Sequence, residues 1–130
     1  MKEISELKFN PSVLYCAEHT WAKQEGDIVI VGITDFAQNQ LDEVIFVELP
    51  QAGDVFSANE VFGVVESVKS VSDLFMPISG EIVEANHALE DDPGIINSSP
   101  FEDAWMIKVK ISNSEELAQL LSVNDYKAAL

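Results

Sequence analysis

Residues 61–80 read VFGVVESVKSVSDLFMPISG, and the rest of the chain is organised around how this stretch folds. Two runs, 61–66 and 71–75, are rich in valine and phenylalanine, side chains that suit a pleated, half-buried surface. Ser67-Val68-Lys69-Ser70 joins them, and its two small hydroxyl residues can bond to nearby backbone in a turn. Pairing the runs as a hairpin puts Lys69 at or beside the tip, with its amine in solvent. Glu66 lies three residues before it and Gly80 eleven after. A lysine presented in this way is a ready point of covalent attachment. Taken alone, the hairpin favours a plainer reading, because most lysines at such tips only keep a surface soluble. The pattern of the surrounding residues decides between the two.

Working outward, residues 1–19 read as an N-terminal arm in which Pro11 breaks any helix. Residues 20–23 and 28–33 read as a second hairpin around Glu25-Gly26-Asp27. Thr34-Asp35 is a helix start, a capping hydroxyl followed by an acid, and the helix is expected to run to about Leu41. Residues 44–49 are apolar enough for a buried strand that Pro50 ends. The segment Gly53-Asp54-Val55-Phe56-Ser57-Ala58-Asn59 resembles Gly80-Glu81-Ile82-Val83-Glu84-Ala85-Asn86. These copies bracket the Lys69 hairpin, as expected of two β halves related by an approximate twofold axis. Residues 87–101 read as a loop region. Residues 105–111 alternate, with Trp105, Ile107, Val109 and Ile111 on one face and Met106, Lys108 and Lys110 on the other. Ser114 is the expected cap of a helix with Leu117, Leu120 and Leu121 as its apolar stripe, and residues 122–125 restart a last short helix. The expected fold is mainly β, a small sandwich or flattened barrel with terminal helices. It forms one domain over 1–130: an arm (1–19), a β core (20–112) and C-terminal helices (113–130).

Charge narrows the function. The 23 acids outweigh seven lysines and no arginine, leaving a net charge of -16. Such a surface repels nucleic-acid phosphates and anionic membranes, and it favours encounter with basic partner surfaces. Cys16 stands alone, so no intrachain disulfide is expected, and it reads as a packed small hydrophobe. The opening MKEISELKFN is neither an apolar signal nor an arginine-rich transit peptide, so the expected compartment is the cytoplasm. Two distant histidines and one cysteine make no metal cluster, and no phosphate loop or nucleophile elbow is present. His19, near Trp21, reads as a structural histidine. Lys69 as a Schiff-base catalyst needs a depressed pKa, and a solvated tip beside Glu66 favours the charged amine instead.

The ordered motifs carry a resemblance over almost the whole chain. They are Val31-Gly32-Ile33-Thr34-Asp35 with Ala37-Gln38, Val47-Glu48-Leu49-Pro50, and Val65-Glu66-Ser67-Val68-Lys69. Pro77-Ile78-Ser79-Gly80-Glu81, Asn97-Ser98-Ser99-Pro100, and Trp105 with Ile107-Lys108 complete them. Together they resemble the H proteins of the glycine cleavage system. The resemblance implies a lipoyl-carrier-type flattened β-barrel and a monomer that catalyses nothing alone. It implies lipoate in amide linkage on Lys69, with Glu66 and Gly80 at the spacings that lipoate-attaching enzymes read. The implied partners are a pyridoxal-phosphate glycine decarboxylase, a tetrahydrofolate-dependent aminomethyltransferase and a flavin dihydrolipoamide dehydrogenase. An aminomethyl group would pass from the first to the second, and the third would reoxidise the carrier.

Biotin carriers share this fold but flank their lysine with methionines, where Val68 and Ser70 stand here. Lipoyl domains of 2-oxo acid dehydrogenases usually place an acid just before the lysine and lack the C-terminal helix. A lipoyl donor or relay role is the other alternative within the family. The resemblance further implies a surface cleft for the arm, and Glu18, His19 and Phe36 are its candidate lining. The alternative is that these three only close one end of the barrel. Asp42 and Ala104 replace family glycines and are expected to alter turns if those positions need positive φ. Phe36 stands where many members have histidine or tyrosine, so any hydrogen bond from that ring is absent.

Overall fold

The computed structural model describes residues 4–130. Residues 1–3 of the expected arm lie outside the described residues. A short 3-10 helix (Ile4–Glu6) leads to β1 (Leu14–Tyr15), β2 (Thr20–Glu25), β3 (Ile28–Ile33) and α1 (Asp35–Leu41). Then come β4 (Val44–Glu48), β5 (Val55–Phe56), β6 (Val61–Ser67), β7 (Val71–Phe75) and β8 (Gly80–Ala85). Two one-turn helices, α2 (Ala88–Asp91) and α3 (Ile95–Ser98), precede β9 (Ile107–Ile111). A 3-10 helix (Ser114–Gln119) and α4 (Val123–Ala129) finish the chain. The strands form two antiparallel sheets, ordered β1-β2-β3-β9-β8-β5 and β4-β6-β7. The fold is therefore the expected β sandwich with a few short helices. Among the described residues, no helix is long and apolar enough to cross a membrane.

The larger core lies between the sheets, where Val29, Val31, Ile82, Ile107 and Val109 of the wide sheet face Val47, Phe62, Val65 and Leu74 of the narrow one. A smaller cluster of Val13, Tyr15, Trp21 and Tyr126 ties α4 to β1 and β2. Tyr15 and Tyr126 stack with ring centroids 4.5 Å apart. Trp21 sits opposite Gly32 across the β2–β3 pair. Its indole lies where a side chain at Gly32 would stand, 2.7 Å from an added Cβ. Only glycine admits that ring, whose Nε1 donates to the Pro100 carbonyl at 3.0 Å. The family motif at residues 31–35 thus has a packing origin.

The polar motif residues converge as well. Thr34 caps α1, its Oγ1 accepting from the Ala37 amide at 3.1 Å. Buried Asp35 accepts from Gln38 Nε2 and the Lys8 amide, both at 2.7 Å. Gln38 Oε1 accepts from Asn97 Nδ2 at 2.9 Å, and Asn97 Oδ1 accepts from the Val44 amide at 2.9 Å. Residues distant in sequence therefore form one chain of hydrogen bonds that fastens α1 and α3 to the start of β4.

Several expectations need correction. Residues 87–101 are not a plain loop: α2 and α3 lie there, each anchored by one fully buried side chain, Leu89 and Ile96. The alternating strand begins at Ile107, not Trp105: Met106 is wholly buried in the same core as Ile107, so the alternation breaks between them. The element at residues 114–119 is a 3-10 helix capped by Asn113, whose side chain accepts from the Glu115 amide at 3.0 Å. Within the stretch read as an arm, β1 pairs with β2. The second hairpin turns on Gly26 and Asp27 alone, since Glu25 already pairs with Ile28. The two copies of the internal repeat pair with each other: Val55 faces Glu81, and the Asp54 carbonyl accepts from the Ile82 amide at 2.8 Å. Equivalent positions thus exchange partners across the pair, as a local twofold axis requires. Of the two glycine replacements, only Asp42 adopts positive φ (67°); Ala104 does not.

Candidate functional site

β6 and β7 form the expected hairpin, with Glu66 opposite Val71 as the last pair. The four-residue tip closes on Ser67. Its amide donates to the Ser70 carbonyl at 2.8 Å, and its hydroxyl accepts from the amides of Ser70 (3.1 Å) and Lys69 (3.3 Å). Ser67 is buried, so this bracket is shielded from competing water. Val68 donates its amide to the Glu43 carbonyl at 3.3 Å, holding the tip to the turn before β4. The result is a fixed loop carrying Lys69, whose side chain is 52% exposed.

The carboxylate nearest the lysine amine is not Glu66. Lys69 Nζ lies 3.8 Å from Asp42 Oδ2, and the Asp42 side chain is 73% exposed. A pair this open to water contributes no more than about 1 kcal/mol. Asp42 holds its place at φ 67° and ψ −145°, a backbone region largely reserved for glycine. Its carbonyl accepts from Asn97 Nδ2 at 2.6 Å and its amide donates to the Gln38 carbonyl at 3.1 Å. The α1–α3 hydrogen-bond chain therefore holds a residue that is conformationally out of place. Glu66 is half-buried on the outer face of the sheet, with Phe46 on one side and Val71 on the other.

Gly80 is buried at the start of β8, between Phe56 and Ile111. A Cβ there would run into the Lys110 carbonyl oxygen. Packing alone thus demands glycine at that position, and it lies in the sheet that does not carry the lysine.

A cleft of about 460 Å³ opens beside the hairpin. It brings together Glu18, His19 and Phe36, the three residues anticipated for it, with Ser70, Val71 and Asp73 of the lysine hairpin. Leu41, Val65 and Leu74 provide apolar wall. Glu18 and Asp73 make the cleft acidic. Sequence reasoning missed Asp73, although its place four residues after Lys69 on the return strand was a usable signal.

His19 serves two purposes there. It adopts φ 70°, and its Nδ1 hydrogen-bonds the Tyr126 hydroxyl at 2.8 Å. That hydroxyl also meets Thr34 Oγ1 at 2.8 Å, so cleft, α1 and α4 share one junction. Burial pushes the Tyr126 phenol up to about 12, opposed by the Thr34 hydrogen bond. Burial lowers the His19 pKa, opposed by the charge of Glu18. The Phe36 ring packs on His19 at 4.7 Å, contact without a hydrogen bond. Neutral His19 is therefore favoured in the fold. Its contribution to stability is complete above the unfolded value, about 6.5, and fades as pH falls below it. On going from about pH 7 to pH 5, the wild type is expected to lose melting temperature more steeply than His19→Asn. Asparagine tolerates positive φ, so the difference isolates the titration. Parallel melting-temperature profiles for the two proteins would contradict this.

The described residues thus place an exposed lysine on a braced hairpin tip of a β sandwich, with a cleft beside it. The family model for glycine cleavage H-proteins matches residues 13–130. A glycine cleavage system H protein from Bacteroides fragilis is 46% identical over 124 residues, covering 95% of this chain and 98% of that relative. One from Halalkalibacterium halodurans is 52% identical over 113 residues, covering 87% and 88%. The crystal structure of a glycine cleavage system H protein from Mycobacterium marinum superposes with a TM-score of 0.85 at 38% identity, covering 92% of this chain and 97% of that one. The chain belongs to the glycine cleavage H-protein family, whose members are carriers in a multienzyme system and not catalysts.

Proposed function

We propose that Lys69 carries lipoate in amide linkage and that the chain shuttles an aminomethyl group within the glycine cleavage system. The observation that carries the reading is the exposed amine at the hairpin tip beside an acidic cleft. The donor is a pyridoxal-phosphate glycine decarboxylase and the acceptor a tetrahydrofolate-dependent aminomethyltransferase. A flavin dihydrolipoamide dehydrogenase restores the carrier. When bound, the lipoyl group supplies the dithiolane that takes up the cargo and is afterwards reoxidised. Everything else is positioning by this chain. The Ser67 bracket fixes the direction in which Lys69 leaves the surface. Glu18 and Asp73 give the cleft the charge that suits an aminomethyl ammonium, while Val65, Leu74 and Leu41 keep water from its floor. Work in the cytoplasm accords with a free, buried Cys16.

Glu66 acts in recognition by the attaching enzyme, and Gly80 acts through the packing that keeps the sheets in register. Glu66→Gln is expected to leave the melting temperature nearly unchanged while slowing attachment severalfold. Equal attachment rates for the two proteins would remove Glu66 from that role. The central test is the intact mass of protein coexpressed with a lipoate ligase, followed by peptide mapping. A single lipoamide increment on Lys69 is the expected result. An unchanged mass would overturn the proposal, and a biotinamide increment would replace it with a biotin carrier.

A further inference from the structure

We propose that the outer face of the β4–β6–β7 sheet is the surface on which the enzyme that acylates Lys69 docks. The inference rests on the reading of Lys69 as an acylated residue. Cross-strand register aligns two rows, Phe46–Glu66–Val71 nearer the tip and Glu48–Val64–Asp73 behind it, whose edge residues Val71 and Asp73 also border the cleft. Apolar and acidic side chains therefore alternate in both directions across the three strands. Phe46 is 45% exposed and Val71 65% exposed. A bulge between Val44 and Phe46 turns Ile45 to solvent as well, and Val68 adds apolar surface at the tip.

Two features of this face call for a partner. Its apolar side chains gain by leaving water. Its carboxylates lack countercharge: among the described residues, no ion pair reaches Glu48 or Glu66, and the nearby cation, Lys69, turns to Asp42. The matching surface is apolar side chains interspersed with lysine or arginine.

Geometry selects which enzyme brings it. An enzyme acting at the far end of an attached arm can stand away from the hairpin. The acylating enzyme must bring its active site to Nζ itself, one side-chain length from the tip, so it meets the flanking strands. From an acyl adenylate, an amide bond forms between the acyl carbon and Lys69 Nζ as the acyl–phosphate C–O bond breaks. AMP leaves, and the ammonium gives up two protons to solvent.

The test measures initial rates of acylation with a lipoate ligase, ATP and lipoate over a range of acceptor concentration. Phe46→Ser is expected to raise the acceptor KM about tenfold with kcat within about twofold of wild type. Glu48→Lys, at an exposed position, should raise KM similarly and flatten the salt dependence of kcat/KM. Val55→Ser, exposed on the other sheet, should match wild type. If Phe46→Ser melts below the assay temperature, Glu48→Lys decides the matter alone. Folded variants with wild-type KM, or a loss confined to kcat, would overturn the docking face. So would a wild-type dimer that Phe46→Ser dissociates without changing KM, since the face would then serve a second copy. Failure of the wild type itself to be acylated would instead remove the reading beneath it.

Discussion

Lys69→Arg is expected to gain no acyl mass under conditions that fully modify the wild type, and to support no aminomethyl transfer at any concentration. The substitution keeps the positive charge and a comparable length. Arginine, however, stays protonated in proteins and offers no free amine to an acyl donor. The change sits on an exposed tip and leaves the Ser67 bracket intact, since that bracket uses only the backbone of residue 69. Stability should therefore stay within about 0.5 kcal/mol of wild type. Melting curves and intact mass, read on the same sample, separate loss of the acceptor from loss of the fold. Acyl label on another lysine of the wild type, Lys23 or Lys108 for instance, would move the attachment site elsewhere.

Asp42→Gly is expected to stabilise the protein. A non-glycine residue at φ 67° and ψ −145° costs of order 1–3 kcal/mol. Glycine brings back about 0.5–1 kcal/mol of lost chain entropy, and removing an exposed ion pair costs less than about 1 kcal/mol. The balance is a gain of about 1 kcal/mol, or a few degrees in melting temperature for a chain of this size. Asp42→Ala separates the causes, because it deletes the carboxylate and retains the Cβ. It should show no gain. Equal stabilisation by alanine and glycine would mean that the carboxylate, not the backbone, carries the cost.

Local signals made much of this legible. The Lys69 hairpin and the Thr34 cap are encoded within a few residues each and appear where expected, and the alternation expected from Trp105 holds from Ile107 on. What escaped depends on distance or on small size. β1 is two residues long and makes no periodic signal. α2 and α3 are single turns, each held by one buried side chain that only the finished core can provide. Met106 stands on the polar face of the expected alternation yet is buried in the same core as Ile107, because it lies just before the strand and its pleat.

The site divides in the same way. The exposed place of Lys69 at the tip was readable from its own turn, whereas its ionic partner was not. Glu66 is closer in sequence, but the pleat turns it outward, and the α1–β4 corner brings Asp42 to the amine. That Glu18, His19 and Phe36 meet in one cleft follows from the β2–β3 pairing, which sets the residues just before β2 beside the start of α1, where the Thr34 amide donates to the His19 carbonyl at 3.1 Å. Asp73 joins them because β7 is an edge strand.

The strand order of the wide sheet has a consequence for how the chain is made. β3 pairs with β9, Ile28 opposite Lys110, whereas β6 and β7 meet across four residues. Local pairings form early and distant ones wait for the loop between them to close. During synthesis the lysine hairpin can form once β7 has emerged. The wide sheet stays in two pieces until residues 107–111 leave the ribosome, with β2–β3 on one side and β5–β8 on the other. The nascent chain therefore presents a finished attachment loop on an unfinished sandwich, and β9 is the keystone that commits the two halves to each other.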